Sequence, residues 1–285
     1  MQIELLDTFL DLAETRSFNR TAERLGLTQS TVSARVRALE GALGARLFDR
    51  SRAGTDLTAE GRRFAGHARS LRHEWNEARR RIAVPQHAAA LVRLGIQNDL
   101  SAEHLGDWVA GFRRAIPDTA FYIEPDYSNQ MCADLLTGTL DFAVLFAPKP
   151  HPDLHFDTVG EVAYRMLSTG PERLADVTPD RFVFAHLSPA FEAMHRQVTP
   201  HLAASPVSVG QSAAVVALLS AMGGAGYVMD RAAARLVAGG AFRVVADAPV
   251  LRQPVFAATY LKNRTAPLHR RLARIVGRAL AGRRP

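Results

Sequence analysis

Apolar positions recur every three or four residues through the first third of the chain, and the breaks in that rhythm mark its elements. Residues 3–57 read as a compact helical region closed by the turn-rich DRSRAGTD, a candidate hairpin around Gly54. Within it Asn19 or Thr21 can cap a helix carrying Ala22 and Leu25, Gly26 supplies a tight stop, and Thr28 can cap the next helix through its hydroxyl. On that second helix Val32, Val36, Leu39 and Leu43 follow 4,3,4 spacing. They form a stripe to be buried on Ala22, Leu25 and the helix near Leu6 and Phe9. The order is helix, short turn, helix.

The rhythm then becomes a strict heptad. Leu57, Gly61, Phe64, Ala68, Leu71, Trp75, Ala78 and Ile82 are separated by four and three residues in turn, with no proline before Pro85. Such an a/d seam wants a left-handed coiled coil, and a second copy of the chain is its natural cover. Packing on a helix of the same chain competes with this, although no neighbouring segment offers a matching seam. After VPQHAAA, short apolar runs (residues 91–96, 120–123 and 141–146) alternate with amphipathic stretches, the pattern of α/β units on a largely parallel sheet. The fold class is therefore α+β overall.

Length and composition agree with several domains: 285 residues, 47% of them hydrophobic, can bury more than one core. Charge is uneven along the chain. Residues 1–90 are net +4, residues 91–260 net −5 and residues 261–285 net +8, so the basic ends suit a polyanion such as nucleic acid. A basic terminal helix is equally an ordinary solvated face. No apolar run is long enough to cross a bilayer, and MQIELLDTFLDLAETRSF places acids where a signal peptide would be basic, so a cytoplasmic location without membrane contact is expected. Cys132 is the single cysteine, and no Cys/His cluster has zinc spacing, so no metal is expected.

The polar face of the second helix carries the first candidate chemistry. Opposite its apolar stripe lie Gln29, Ser30, Ser33, Ala34 and Arg37, with Thr31 and Arg35 at the flanks. Small and hydrogen-bonding residues at a helix N-terminus let the backbone approach base edges in a major groove. Gln29 suits adenine, Arg35 suits guanine or phosphate, Ser30, Thr31 and Ser33 reach either bases or backbone, and Arg37 suits phosphate. An amphipathic helix pair with a merely solvated face has the same composition.

The stretch SFNRTAERLGLTQSTVSARVRALEGALGARLFDR resembles the DNA-binding domain of LysR-type transcriptional regulators. Leu39-Glu40, Leu43-Gly44, Leu47-Phe48-x-Arg50, Leu57-Thr58 and Gly61 stand at that family's spacing. The resemblance implies a winged helix-turn-helix over residues 1–58, a linker and dimerisation helix over 59–84, and a regulatory domain over 85–285. It also implies a homodimer or tetramer on an inverted repeat in double-stranded DNA, RNA polymerase as a partner if the protein activates, and Arg50 and Arg52 beside phosphates. Ala34 stands where the family often has Arg, and Ala53 with Gly54 where the wing often has a basic pair. Base reading then falls more on Arg35, and the wing contact on Arg52.

Beyond residue 91 the resemblance rests on Leu94-Gly95-Ile96, on LLTGTLDFAVL and on ALLSAMGGAGYVMD with Gly224 and Gly226. FVFAHLSPAFEAMHRQ is similar to the HdfR-like subgroup. The implied fold is α/β and periplasmic-binding-protein-like, with one subdomain near residues 91–160 and 255–285, another near 161–254, and a small-molecule cleft between them. Strand ends and helix N-termini there give candidate effector contacts: Gln97, Asn98, Asp99, Ser101, Tyr127, Ser128, Asn129, Phe146, Gln211 and Ser212. Many family members sense carboxylates, but Asp99 stands where the family usually has Ser or Thr, with Glu124 and Asp126 expected nearby. An Asp99 that caps its own helix already fills the anion position, which argues for a cationic or neutral effector, or for none.

The glycine pair lacks the third glycine of a dinucleotide fingerprint and reads as a tight helix-to-strand turn. None of the ten histidines forms a metal-spaced pair, and no serine lies in a nucleophile elbow. No catalytic residue or cofactor is assigned, and Cys132 reads as a small buried residue. The remaining alternatives to an effector-controlled regulator are an architectural DNA-binding dimer and an enzyme with a DNA-binding head.

Overall fold

A computed structural model describes residues 2–51, 54–82 and 90–281. By its contacts the chain divides into two compact units, Met1–Pro85 with Leu136–Thr139, and Gln86–Leu135 with Leu140–Pro285.

The first unit begins with α1 (Ile3–Thr15), α2 (Phe18–Leu25) and α3 (Gln29–Leu43), continues through the antiparallel hairpin β1 (Phe48–Ser51) and β2 (Gly54–Leu57), and ends in α4 (Ala59–Ile82). Its core is the side chains of Leu6, Phe9, Leu12, Ala22, Val32, Val36 and Leu39 with Leu47 and Phe48. Phe9 touches the rings of Phe48 and Phe64 at 5.3 and 5.2 Å. Gly26 stops α2 in the left-handed region at φ +64, and Thr28 caps α3 by accepting from the Thr31 N–H at 3.2 Å.

Three expectations need correction here. Ser17, not Asn19 or Thr21, caps α2, accepting from the Arg20 N–H; Thr21 is turned inward, its hydroxyl 2.7 Å from that of Thr15. Leu43 is exposed, because the last turn of α3 runs past the core. The heptad seam is not uniform. Leu57 lies in β2, Gly61, Ala65 and Ala68 are buried with Phe64 against the unit's own core, while Leu71 and Trp75 are 45% and 48% exposed and Ile82 88%. A same-chain partner therefore covers the first half of the seam and leaves the second half open.

The second unit runs β3 (Ala90–Gln97), α5 (Asn98–Ala115), β4 (Thr119–Asp126), α6 (Ser128–Thr137), β5 (Phe142–Phe146), β6 (Leu154–Ser168), β7 (Phe182–Ala185), α7 (Pro189–Val198), β8 (Val207–Val209), α8 (Ser212–Met222), β9 (Ala225–Met229), α9 (Asp230–Ala238), β10 (Arg243–Val244), β11 (Leu251–Tyr260) and α10 (Pro267–Ala281). Among the described residues these strands form one sheet in the order β4-β3-β5-β11-β6-β9-β7-β8, with β10 on β6. Parallel sets at each end, β4-β3-β5 and β9-β7-β8, are joined by the long antiparallel pair β11 and β6. This is two α/β halves linked by crossover strands. The Gly223-Gly224 turn between α8 and β9 takes φ +70 and +98, and a Cβ on Gly224 would lie 2.4 Å from the Arg181 carbonyl oxygen. The positive φ values account for Gly223 and Gly224 as the turn, whereas Gly226, expected in it, lies within β9. No helix among the described residues is long and apolar enough to cross a membrane.

His195 on α7 is enclosed by Phe182, Phe191 and Tyr227 and stacks on Phe184 at 4.1 Å. Burial pushes its pKa from 6.5 down to about 4. The folded ring stays neutral where the unfolded chain takes up a proton, so stability present above pH 6.5 is lost as pH falls toward 4. Urea unfolding near pH 7 and near pH 4.5 should show His195→Phe losing about 2 to 3 kcal/mol less than the parent over that interval. Equal losses in the two proteins would remove His195 as the cause.

Candidate nucleic-acid interface and ligand cleft

The outward face of α3 begins at its cap. Gln29, Ser30, Ala34 and Arg37 are exposed, and Thr31 and Ser33 are half-buried. The Thr28 hydroxyl lies 2.8 Å from those of Ser30 and Thr31, so this end is held by a local hydroxyl network. Arg37 leans along its helix, its Nε 3.4 Å from the Ser33 carbonyl oxygen. Arg35 goes the other way: it is half-buried, and Nη1 donates to the Thr8 hydroxyl on α1 at 3.3 Å. The 100° advance per residue turns position 35 toward α1 while positions 34 and 37 stay outside. Arg50 pairs with Thr55 in the hairpin register, but its side chain, like all of Arg52, lies outside the described residues.

The scaffold beneath this face accounts for several of the fixed spacings. Glu40 Oε1 accepts from the backbone N–H groups of Leu47 at 2.7 Å and Phe48 at 3.3 Å, tying α3 to β1. Thr58 caps α4, its hydroxyl accepting from the Gly61 N–H at 2.9 Å and donating to the Arg46 carbonyl at 2.7 Å.

In the second unit the candidates divide. Ser128, at the start of α6, has its hydroxyl 2.8 Å from Gln97 Oε1 and 2.6 Å from the Phe146 carbonyl oxygen, which brings three of them together at the ends of β3 and β5. Gln211 Nε2 donates to the Tyr127 hydroxyl at 3.4 Å. Ser101 instead donates to Asn98 on its own helix, and Asn129 faces solvent. Ala147, following Phe146, is held at φ +39, a costly conformation for a residue with a Cβ.

Asp99 departs from expectation. It does not cap α5, whose N-cap is Gln97, with no side-chain bond to the helix backbone. Its Oδ1 accepts from the N–H of Ser212 at 2.6 Å, so it caps α8 and ties the two α/β halves together. It is 2% exposed, and burial pushes its pKa up to about 6 against the partial relief of the Ser212 bond. Glu124 and Asp126 are not among the groups that set it; their charges add instead to the rise that burial causes in the Asp134 pKa.

Sequence reasoning missed two polar residues at the same junction. Tyr164 on β6 is fully buried, packs on Phe191 at 4.7 Å and feels the Asp99 charge. Gln253 on β11 is buried and its Nε2 donates at 2.8 Å to Ser188, the N-cap of α7. A signal existed: Gln253 interrupts the inward-facing apolar alternation Leu251, Val255. Cys132 is half-buried rather than buried, and its partial burial raises its pKa to about 11, so the thiol stays protonated near neutral pH; no metal-ligating cluster occurs among the described residues.

Two family models match the chain: "Bacterial regulatory helix-turn-helix protein, lysR family" over residues 3–62, and "LysR substrate binding domain" over residues 85–281. The chain is 32% identical to the HTH-type transcriptional regulator HdfR of Yersinia enterocolitica over 181 residues, 63% of this chain and 61% of that relative's length. Full-length OxyR from Pseudomonas aeruginosa, in a cysteine-to-aspartate form, shares the fold with a TM-score of 0.59 at 21% identity, covering 97% of this chain and 98% of that one. LysG of Corynebacterium glutamicum with bound effector Arg does so with a TM-score of 0.58 at 19% identity, covering 100% of both chains.

Proposed function

The chain belongs to the lysR family of bacterial DNA-binding transcriptional regulators, and from that premise we propose that it acts as a two-fold dimer, or a dimer of dimers, on an inverted-repeat operator. In this reading residues 1–58 bind DNA, residues 59–84 dimerise, and residues 85–285 receive a small-molecule effector between subdomains near 91–160 with 255–285 and near 161–254. The observation that carries it is the polar face of α3, whose Gln29, Ser30, Ala34 and Arg37 stand exposed on a capped, tightly packed scaffold and form no ion pair among the described residues. Helix α3 enters the major groove by its N-terminus, with Gln29, Ser30, Thr31 and Ser33 at base edges and Arg37, Arg50 and Arg52 at phosphates. Arg35, engaged with Thr8, serves the groove less directly than its position along the chain implies. The effector meets Gln97, Tyr127, Ser128, Phe146, Gln211 and Ser212 around Asp99. RNA polymerase is a partner only if the regulator activates.

Selecting duplexes from a random pool with the purified full chain tests this reading, an inverted repeat being the expected yield. On the selected duplex Gln29→Ala should cost roughly 1 to 3 kcal/mol and relax discrimination at one base pair. Arg37→Ala should weaken all sequences alike and lower the salt slope by about 1. Arg35→Ala should cost less than Gln29→Ala. Unchanged discrimination in Gln29→Ala would refute base reading there, and a pool that never converges would refute sequence-specific binding.

A further inference from the structure

Among the described residues, three polar atoms cut off from solvent have no hydrogen-bond partner where the two α/β halves join: Asp99 Oδ2, the Tyr164 hydroxyl and Gln253 Oε1. They belong to one locality. The Asp99 charge acts on Tyr164 directly. Tyr164 pairs with Leu251 across the β6 and β11 ladder, and Gln253, two residues along β11, shares its face of the sheet. Both residues reach the first turn of α7, Gln253 through Ser188 and Tyr164 through Phe191.

The decisive member is Asp99. An ionised carboxylate offers about four acceptor positions, and here the Ser212 N–H fills one of them. Among the described residues no Lys, Arg or His forms an ion pair with it, and burial with that N–H sets its titration. A buried carboxylate without a counter-charge is destabilising, and the N-terminal dipole of α8 offsets only part of that. The deficit has a definite chemistry: one negative charge, the amide oxygen of Gln253 and a phenol that can donate or accept. A second anion is excluded from the α8 N-terminus, because Asp99 already occupies it.

We propose that this junction is a cation subsite, in which the protonated amine or guanidinium of a small metabolite lies between Asp99, Tyr164 and Gln253 and fastens the two halves of the regulatory unit together. The proposal rests on the effector reading of the cleft and assigns the class of effector: a compact base that donates N–H bonds, rather than a simple carboxylate. Asp99 is then both the cap of α8 and the counter-ion of the ligand.

The test uses the full-length protein near neutral pH and matched ionic strength, with ethylamine, putrescine and agmatine as cationic probes and acetate, succinate and glutarate as anionic ones. At least one amine is expected to raise the melting temperature. Asp99→Asn keeps an acceptor for the Ser212 N–H and removes the charge, so amine affinity should fall at least about tenfold. Tyr164→Phe, which removes only the hydroxyl, should weaken the same amine and serves in place of Asp99→Asn if that variant does not fold. Asp99→Ser vacates the α8 N-terminus and should gain a response to succinate or glutarate. No amine response, or equal amine binding by parent and Asp99→Asn, overturns the proposal. A carboxylate response by the parent overturns the cation subsite while leaving an effector cleft in place. Silence to every probe in all four proteins, with operator affinity unmoved, overturns the effector reading as well.

Discussion

Gly61→Ala is expected to destabilise the N-terminal unit by about 3 kcal/mol or more, a large share of a typical domain's 5–15 kcal/mol. A Cβ at position 61 would lie 2.1 Å from the Leu47 carbonyl oxygen and 2.9 Å from Leu57 Cδ2. The nearer obstacle is backbone, and that same carbonyl accepts from the Thr58 N–H at 3.0 Å. Relief of the clash requires α4 to move away from β1. Such a shift breaks that hydrogen bond and loosens Phe64, Ala65 and Ala68 from the core around Phe9. Gly66 is the internal control, since its Cβ would meet nothing within 4 Å, and Gly66→Ala should be neutral or stabilising by up to about 1 kcal/mol. Hydrogen exchange over α1 to α4 reads both variants. Protection lost equally in the two, or kept in both, would mean that the Leu47 contact does not govern the helix.

A second large effect is expected from Leu71→Glu combined with Trp75→Glu. These residues are about half exposed on the part of α4 that the core does not reach, and Ile82 extends the same stripe. A helix of 24 residues spans about 36 Å, and apolar residues at heptad spacing along its outer half suit a second copy of the chain. Two carboxylates placed against their symmetry mates desolvate and repel. The variant should sediment as a monomer and bind an inverted repeat about 100-fold or more weakly, through loss of the effective concentration that linking two half-site readers provides. Binding to a single half-site should change little. Unchanged mass at the same concentration would refute this part of α4 as the dimer contact.

How much of this was legible beforehand depends on the range of the interaction responsible. The helix pair, the Gly26 stop and the Thr28 cap are set by residues within four positions of one another, and the sequence carries them openly. The cap of α2 was misassigned to Asn19 or Thr21 because the choice turns on Thr21 facing Thr15 across the core. The heptad seam was visible, but its division was not. Periodicity marks a helix as half apolar and says nothing about which neighbour covers which turn. Asp99 was recognised as unusual from its position, yet its helix was wrong, since its partner Ser212 is 113 residues away.

The amino-acid sequence alone determined the helix pair with the hairpin and long helix that follow it, the α/β alternation beyond them, the family resemblance and the polar face of α3, because caps, turns and hydrophobic periods act between near neighbours. The tertiary structure decided that Arg35 turns to Thr8, that Gly61 meets the Leu47 carbonyl, and that Asp99, Tyr164 and Gln253 gather at one junction. Each depends on contacts that exist only after distant segments pack, and burial then turns an ordinary carboxylate into a charge in need of a partner.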